Sequence, residues 1–394
     1  MDATPRRRRG GAEPEPARSL RVASWNVAGL RGLLKREEGR ATLRHLVASE
    51  QVDVLMLQAA VLHCHLHTTL ATDHSPLATH YWLLSPEPSP EPSPLSPHPW
   101  PLTAERLRLL QETKLQPSQV GAVEAELVAL LGGEGGGEGG GEGGGEEGGA
   151  AWRVGWACST ARKGYAGVAT AWRTARFPAA ACAPLLVDAA HVAGQEGRTL
   201  AWRLPLRRGA ARGGAAASRL SLINVYTPNA GAKLERLAYR VHPTEGWDAR
   251  FRSALRSEAA AAAPGGHVCV GGDLNVAVED IDFYNPAARH VAKQAGLTPE
   301  ERASARLLTS AAAGTDGLGM RDCFRLRPPH AAGQYTYWSQ RARNRPRNRG
   351  LRIDYFLLAQ SLVASGALVD VQHLHKLEGS DHCPVLMTLR MDRL

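Results

Sequence analysis

The stretch His267-Val-Cys-Val-Gly-Gly-Asp-Leu-Asn-Val-Ala277 organises the reading of this chain. Its opening apolar run, His267 to Val270, has the character of a fully buried strand. Two glycines follow, then Asp273 and Asn275 with one residue between them. On extended backbone, side chains two apart share a face, so a carboxylate and a carboxamide would project together where the strand ends. Sheet enzymes place their chemistry at such ends. The plainer reading is an Asp/Asn turn after a strand, and this stretch alone does not separate the two.

Other stretches repeat the design. Leu20 to Asn26 is a strand candidate ending in Ser24-Trp-Asn26, and Gly29 to Lys35 turns into a helix bearing Arg31 and Lys35. Leu220-Ser-Leu-Ile-Asn-Val-Tyr226 ends in polar residues. Leu351-Arg-Ile-Asp-Tyr-Phe-Leu-Leu358 and Tyr335-Thr-Tyr-Trp338 read as strands rich in aromatic and branched residues. Gly379-Ser-Asp-His-Cys-Pro384 precedes the apolar Val385 to Leu389.

The totals set bounds. The chain has 394 residues, 43% hydrophobic and 22% charged, the balance of a soluble globular protein. No apolar run approaches the ~20 residues of a membrane span. The net charge is +9 although residues 132–149 carry five glutamates, so the remainder is more basic still and suits a polyanion such as nucleic acid. Six scattered cysteines without a Cys-x-x-Cys pair read as reduced thiols. Residues 1–19, with Arg6 to Arg9 and then alternating Glu and Pro, read as a disordered basic tail. The Arg run suits a nuclear address or a nucleic-acid arm, with an organellar leader or a solvated tail as alternatives. Residues 20–394 read as one catalytic domain with two insertions, a Pro/His-rich one at 59–110 and a Gly/Glu-rich one at 131–150.

There is no Gly-x-Ser-x-Gly elbow, no phosphate loop and no Cys/His zinc cluster. Carboxylate and amide oxygens suit Mg²⁺, with Mn²⁺ as a substitute, and a histidine beside them can act as a base or steady a phosphate oxygen. That inventory points to metal-assisted phosphoester hydrolysis.

The motifs resemble those of the exonuclease III family of AP (apurinic/apyrimidinic) endonucleases, within the DNase I-like phosphoesterase superfamily. The stretches that carry the resemblance are Ser24-Trp-Asn-Val-Ala-Gly-Leu-Arg31, Leu110-Gln-Glu-Thr-Lys114, Gly164-Tyr-Ala-Gly-Val168, Asn224-Val-Tyr-Thr-Pro-Asn-Ala-Gly231, Gly272-Asp-Leu-Asn-Val-Ala277, Tyr335 to Trp338, Leu351 to Leu358 and Gly379 to Pro384. They run in family order over roughly residues 20 to 390. The resemblance implies a four-layer α/β sandwich, two mixed β-sheets face to face with helices outside. It implies Glu112 on Mg²⁺, with Asn26 and Asp381 completing the site and Asp273, Asn275 and His382 around it. Asp273 would activate water, Asn275 orient it, Asp354 hold His382 on the phosphate, and Tyr226 steady its oxygens. DNA would be met by Arg31, Lys35, Tyr165, Asn229, Tyr337, Trp338, Arg341 and Leu351, with the Arg/Asn-rich segment Arg341 to Arg349 along the backbone.

The family cleaves double-stranded DNA 5′ to an abasic site, leaving a 3′-hydroxyl, and often trims blocked 3′ ends; a nuclear, non-membrane monomer is the expectation. Three positions depart from the pattern. Ala28 stands where Asp or Asn is common, Ala232 replaces a basic residue, and Leu351 replaces a Trp that lines the sugar pocket. The alternatives are a catalytically impaired nucleic-acid-binding homologue and a superfamily phosphatase acting on lipid or inositol headgroups.

Two segments compete for one strand slot: Val52 to Gln58, apolar on nearly every residue, and Arg106 to Gln111, which leads directly into Glu112 but would bury arginines. The first is expected to win. Removing residues 59–111 would then join Gln58 directly to Glu112 and is expected to raise Mg²⁺ affinity and incision rate. Titrating Mg²⁺ against incision with both purified forms checks this; equal or poorer activity of the shortened form would assign the segment to the working enzyme.

Overall fold

In the computed structural model the described residues are 19–58, 117–133, 151–159, 166–185, 187, 196–206, 218–262, 265–311, 317–326 and 331–394. Their strands form two six-stranded sheets. The first runs in the order β11 (Leu368–His373), β12 (Val385–Arg390), β1 (Ser19–Asn26), β2 (Val54–Gln58), β4 (Val168–Arg173), β3 (Trp152–Ala157). The second runs β5 (Ala181–Pro184), β6 (Thr199–Pro205), β7 (Arg219–Tyr226), β8 (His267–Asp273), β10 (Asp354–Leu358), β9 (Arg321–Asp322). Each sheet is mixed: β1 and β2 are parallel, as are β7 and β8, and the remaining pairs are antiparallel.

The period-2 alternation of side chains sorts each strand between two cores. Leu20, Val22, Val54, Met56, Leu220, Leu222, Cys269, Phe356 and Leu358 meet between the sheets. The odd partners of β1 and β2 (Ala23, Trp25, Leu55, Leu57) turn outward onto α1 (Leu30–Leu34), α2 (Glu37–Ala48) and α3 (Pro117–Gly132). Ile223, Val225, Val268, Val270, Tyr355 and Leu357 turn outward onto α5 (Trp247–Ala262) and α6 (Pro299–Thr309). Between the helices α4 (Leu237–Val241) precedes α5, and α7 (Gln360–Ala364) follows β10. The result is helix, sheet, sheet, helix: the four-layer α/β sandwich expected from the sequence. Two glycines of β8 permit its close packing. A Cβ on Gly271 would lie 2.5 Å from the Phe356 ring, and one on Gly272, whose φ is +147°, would lie 2.0 Å from the Val225 carbonyl oxygen.

Val54–Gln58 occupies the contested slot, with Gln58 paired to Asn26 on one side and Val168 on the other. The rival segment lies outside the described residues. Three boundaries move. Ser19, expected in the tail, opens β1 opposite Arg390. Leu131, assigned to the Gly/Glu insertion, lies in the last turn of α3 with its side chain in the core, because an apolar residue at helical spacing buries more than a loop would. Tyr335 to Trp338 makes isolated bridges from Tyr337 to Leu351 and His382 in place of a full strand.

The carboxylate of Glu258 fastens α5 to the second sheet. It accepts both arms of Arg203 at 2.8 Å, the Arg219 guanidinium at 3.0 Å and the Ser221 hydroxyl at 2.7 Å. Burial pushes this carboxyl up, but the Arg203 fork, the Ser221 hydroxyl and the Arg219 charge outweigh it and bring it down to about 2. An unfolded glutamate titrates near ~4.3, so the stabilisation is fully present above that pH and is lost as pH falls toward 2. Glu258→Gln is expected to lower the melting temperature at pH 7, and the gap from wild type to close between about pH 4.5 and 2. Thermal denaturation of both proteins across that range measures it.

Candidate active site

The inner faces of the central strands are graded. Along β1 the inward residues run Leu20, Val22, Ser24, Asn26; along β2, Val54, Met56, Gln58; along β7, Leu220, Leu222, Asn224, Tyr226; along β8, Cys269, Gly271, Asp273. Each ends polar after an apolar stretch, and β8 also has the polar His267 at its opposite end. These four strands run in register as two parallel pairs, so their polar ends meet at one edge of the sandwich. The antiparallel strands β10 and β12 bring their starts to that edge: Asp354 pairs with Asp273 in the ladder, and Ser380 to His382 lead into β12.

Below the edge lies a buried polar seam. The Gln58 amide donates to Ser24 Oγ at 3.0 Å and to Asn224 Oδ1 at 2.8 Å, and Asn224 Nδ2 donates to the Ala169 carbonyl at 2.8 Å. Above it opens a cleft of about 420 Å³ lined by Asn26, Ala28, Tyr226, Asn229, Asp273, Asn275, Ala295, Gly296, Tyr337, Leu351, Ile353, Asp381 and His382.

Within the cleft, Asp273 is 1% exposed. One carboxylate oxygen accepts Asn26 Nδ2 at 2.8 Å and the other accepts the Asn275 backbone N–H at 2.7 Å. Asn275 takes φ +49°, a left-handed conformation that Asn tolerates better than most residues. Its amide donates to the Thr227 carbonyl at 2.8 Å and accepts Asn229 Nδ2 at 3.1 Å. Across the ladder, Asp354 Oδ2 accepts the Thr336 hydroxyl at 2.6 Å and lies 2.8 Å from His382 Nδ1. That contact leaves His382 Nε2 as the ring nitrogen for other partners. The Tyr337 ring packs 4.9 Å from the imidazole.

Electrostatics follow from the burial. Desolvation, reinforced by the neighbouring Asp354 charge, holds the Asp273 carboxyl well above the usual carboxylate range. Burial alone would drive the His382 imidazole toward neutrality, but Asp354 in contact with it, with Asp273 and Asp381 behind, raises it to about 9.

The structure thus gathers Asn26, Tyr226, Asn229, Asp273, Asn275, Tyr337, Leu351, Asp354, Asp381 and His382 around one cleft. Arg31 and Lys35 are exposed on and just after α1, the helix that follows Asn26, and Arg341 is exposed on the arginine-rich hairpin. Glu112 and Tyr165 lie outside the described residues. Trp338, expected to meet DNA, is 3% exposed: its indole N–H donates to Asn348 Oδ1 at 3.0 Å and the Arg345 guanidinium lies 4.8 Å over its ring. It is a core residue of the hairpin. Asn275 differs in degree from expectation, since both ends of its carboxamide are held by protein.

Two residues that sequence reasoning passed over complete the site. Thr336 accepts the backbone N–H groups of Ile353 and Asp354 at 3.1 Å each while donating to Asp354. The Ser380 hydroxyl donates to the Asn26 carbonyl at 2.7 Å and accepts the His382 N–H at 3.2 Å. Both sit inside motifs already singled out, at positions where a hydroxyl between two functional residues was the available signal.

The residues fit a divalent cation. Asp273, Asp354 and His382 bring ligand atoms within 4.8 Å of one another. The Asp354 Oδ1 atom is buried without a hydrogen-bond partner among the described residues, an oxygen whose desolvation a cation would offset. Asn26 and Asp381 add hard oxygen donors to the same cleft.

Comparison with known proteins agrees with this architecture. The model of the Endonuclease/Exonuclease/phosphatase family matches residues 23–382. The chain is 33% identical over 237 residues to "DNA repair nuclease APEX1" of Danio rerio, covering 59% of this chain and 64% of that protein. It is 36% identical over 171 residues to "Exodeoxyribonuclease" of Bacillus subtilis, covering 43% of this chain and 60% of that one. The matches therefore span less than two thirds of these relatives' lengths. Among solved structures, AP endonuclease LMAP from Leishmania major superposes with a TM-score of 0.65 at 26% identity, over 98% of this chain and 92% of the other. Family model, relatives and topology converge: the chain belongs to the Endonuclease/Exonuclease/phosphatase family.

Proposed function

We propose that this protein is a DNA-repair nuclease that hydrolyses the phosphodiester 5′ to an abasic site in duplex DNA, leaving a 3′-hydroxyl, and that it trims blocked 3′ ends with the same site. The observation that carries the reading is the Asp354–His382 couple facing the buried Asp273 across one cleft. The names of the relatives and the excess of positive charge support a nucleic-acid substrate. The remaining expectations, a nuclear location and action as a monomer, belong to the same proposal.

The chain's own residues divide the work. Asp273, fixed by Asn26 and the Asn275 N–H and held high enough in pKa to exchange a proton near neutrality, takes the proton of the attacking water. His382, kept cationic by Asp354, presents Nε2 to a non-bridging phosphate oxygen and stabilises the charge that grows there. Tyr226 lines the same cleft from the end of β7. Tyr337, Leu351 and Ile353 form an apolar wall against which a base-less sugar packs with no lost base contacts. A bound Mg²⁺ would be held by Asp273, Asn26 and Asp381, with Glu112 the further ligand that the family resemblance implies, and would supply Lewis-acid charge for the phosphate and the leaving oxygen.

Incubation of a duplex carrying one tetrahydrofuran abasic analogue, with Mg²⁺ or with EDTA, tests the reading. Incision 5′ to the analogue, yielding a 3′-hydroxyl and only with the metal, is expected; an intact duplex at protein excess overturns it. Asp273→Asn and His382→Ala should each lower kcat by ~10²–10⁴, the range for proton-transfer and electrostatic groups, with native circular dichroism retained. Thr336→Val removes a hydroxyl that satisfies two buried N–H groups and a carboxylate. It should destabilise the fold by about 2–3 kcal/mol, measured by urea denaturation.

A further inference from the structure

The hairpin 339–349 presents Arg341, Arg343, Arg347 and Arg349 to solvent, and Arg345 differs from them. It is half-buried and turned inward. Its Nη2 donates to the His375 carbonyl at 3.0 Å and the Leu377 carbonyl at 2.6 Å, and its Nη1 to the Ser380 carbonyl at 3.0 Å. Its guanidinium stacks 4.8 Å over Trp338, whose backbone N–H donates to the Asp381 carbonyl at 2.9 Å.

The segment from His375 to Ser380 is irregular backbone leading straight into Asp381 and His382. Lacking a ladder, its carbonyls need side-chain donors. Thr42 and Arg36 satisfy Glu378 and Gly379 from the α2 side, at 2.7 Å each. Among the described residues, Arg345 is the side chain that satisfies three others, from the opposite side. A planar fork of fixed geometry is suited to holding several carbonyls at once, which a lysine cannot reproduce.

We infer that Arg345 is a positioning residue: it braces the 375–380 segment so that Ser380, and through it Asp381 and His382, stand in register with Asn26 and Asp354. The inference rests on the hydrolytic reading of the cleft, and it separates Arg345 from its hairpin neighbours, whose exposed charges suit phosphate contacts.

Two variants test it, Arg345→Met and Arg345→Lys, with Arg341→Gln/Arg343→Gln for comparison. The activity arm uses the tetrahydrofuran duplex with Mg²⁺, corrected for folded fraction by circular dichroism. Arg345→Met is expected to lower kcat about 10- to 100-fold, the scale of a misplacement near 1 Å at a reacting group. Arg345→Lys should fall between it and wild type. Both should keep the wild-type salt slope of DNA affinity. The comparison variant should instead raise KM and flatten that slope by ~0.9 per lost phosphate contact. A structural arm independent of turnover uses hydrogen exchange on the free protein, where protection should drop across residues 375–383 and stay unchanged along β8. A flattened salt slope with kcat intact would make Arg345 a DNA contact and overturn the inference, as would unchanged exchange across 375–383. Should wild type fail to incise, the activity reading falls and the exchange result still decides the bracing role.

Discussion

Asp273 and Asp354 stand directly opposite each other in the β8–β10 ladder, each 1% exposed. Like charges across a ladder repel, and burial removes the water that would screen them. The surroundings answer that repulsion. Asn26 and the Asn275 N–H converge on Asp273; Thr336 and His382 converge on Asp354. The raised pKa values of Asp273 and His382 are two expressions of this arrangement, one carboxyl drawn toward protonation and one imidazole held charged. A cation in the cleft would relieve the same strain, so the constraint that makes the site costly also makes it receptive to a metal ion.

Much of this was legible in the chain. Polar residues ending apolar strands at Asn26, Tyr226 and Asp273, and opening one at Asp354, mark the site because a buried strand has few other reasons to carry them at that edge. The alternation along those strands separates inner from outer faces without coordinates. What sequence reasoning missed has a physical pattern. β5 and β11 lie toward the sheet edges with half-exposed residues and a register shift between Leu368 and Asp370, so their periodicity is weak. Trp338 and Arg345 occupy a stretch whose composition suggests a DNA face, yet side-chain direction in an irregular hairpin has no period to read. The hydrogen bonds from Ser380 to Asn26, from Thr336 to Asp354 and from Arg345 to Ser380 join residues 354, 18 and 35 positions apart.

The departures from the family pattern have local consequences. Ala28 takes φ +49° and its N–H donates to Asn26 Oδ1 at 3.0 Å, so the turn is kept although alanine is less at ease there than Asn or Asp. Leu351 bridges Phe283 and Tyr337 and keeps the wall apolar with a smaller side chain. Both changes alter the shape and donor count of the cleft while leaving the Asp273, Asp354 and His382 cluster intact.

The first sheet sets β1 against β12, joining Ser24 to Val385 and Ser380 to Asn26. During synthesis at ~5–20 residues per second, the 354 positions separating Ser380 from Asn26 correspond to roughly 20–70 s in which β1 exists without that partner. Contacts of such long range come late and slow folding. A nascent chain therefore carries Asn26 and Asp273 well before it can place His382, and the Asp273, Asp354 and His382 cluster cannot be complete until the segment leading into β12 has been made and docked.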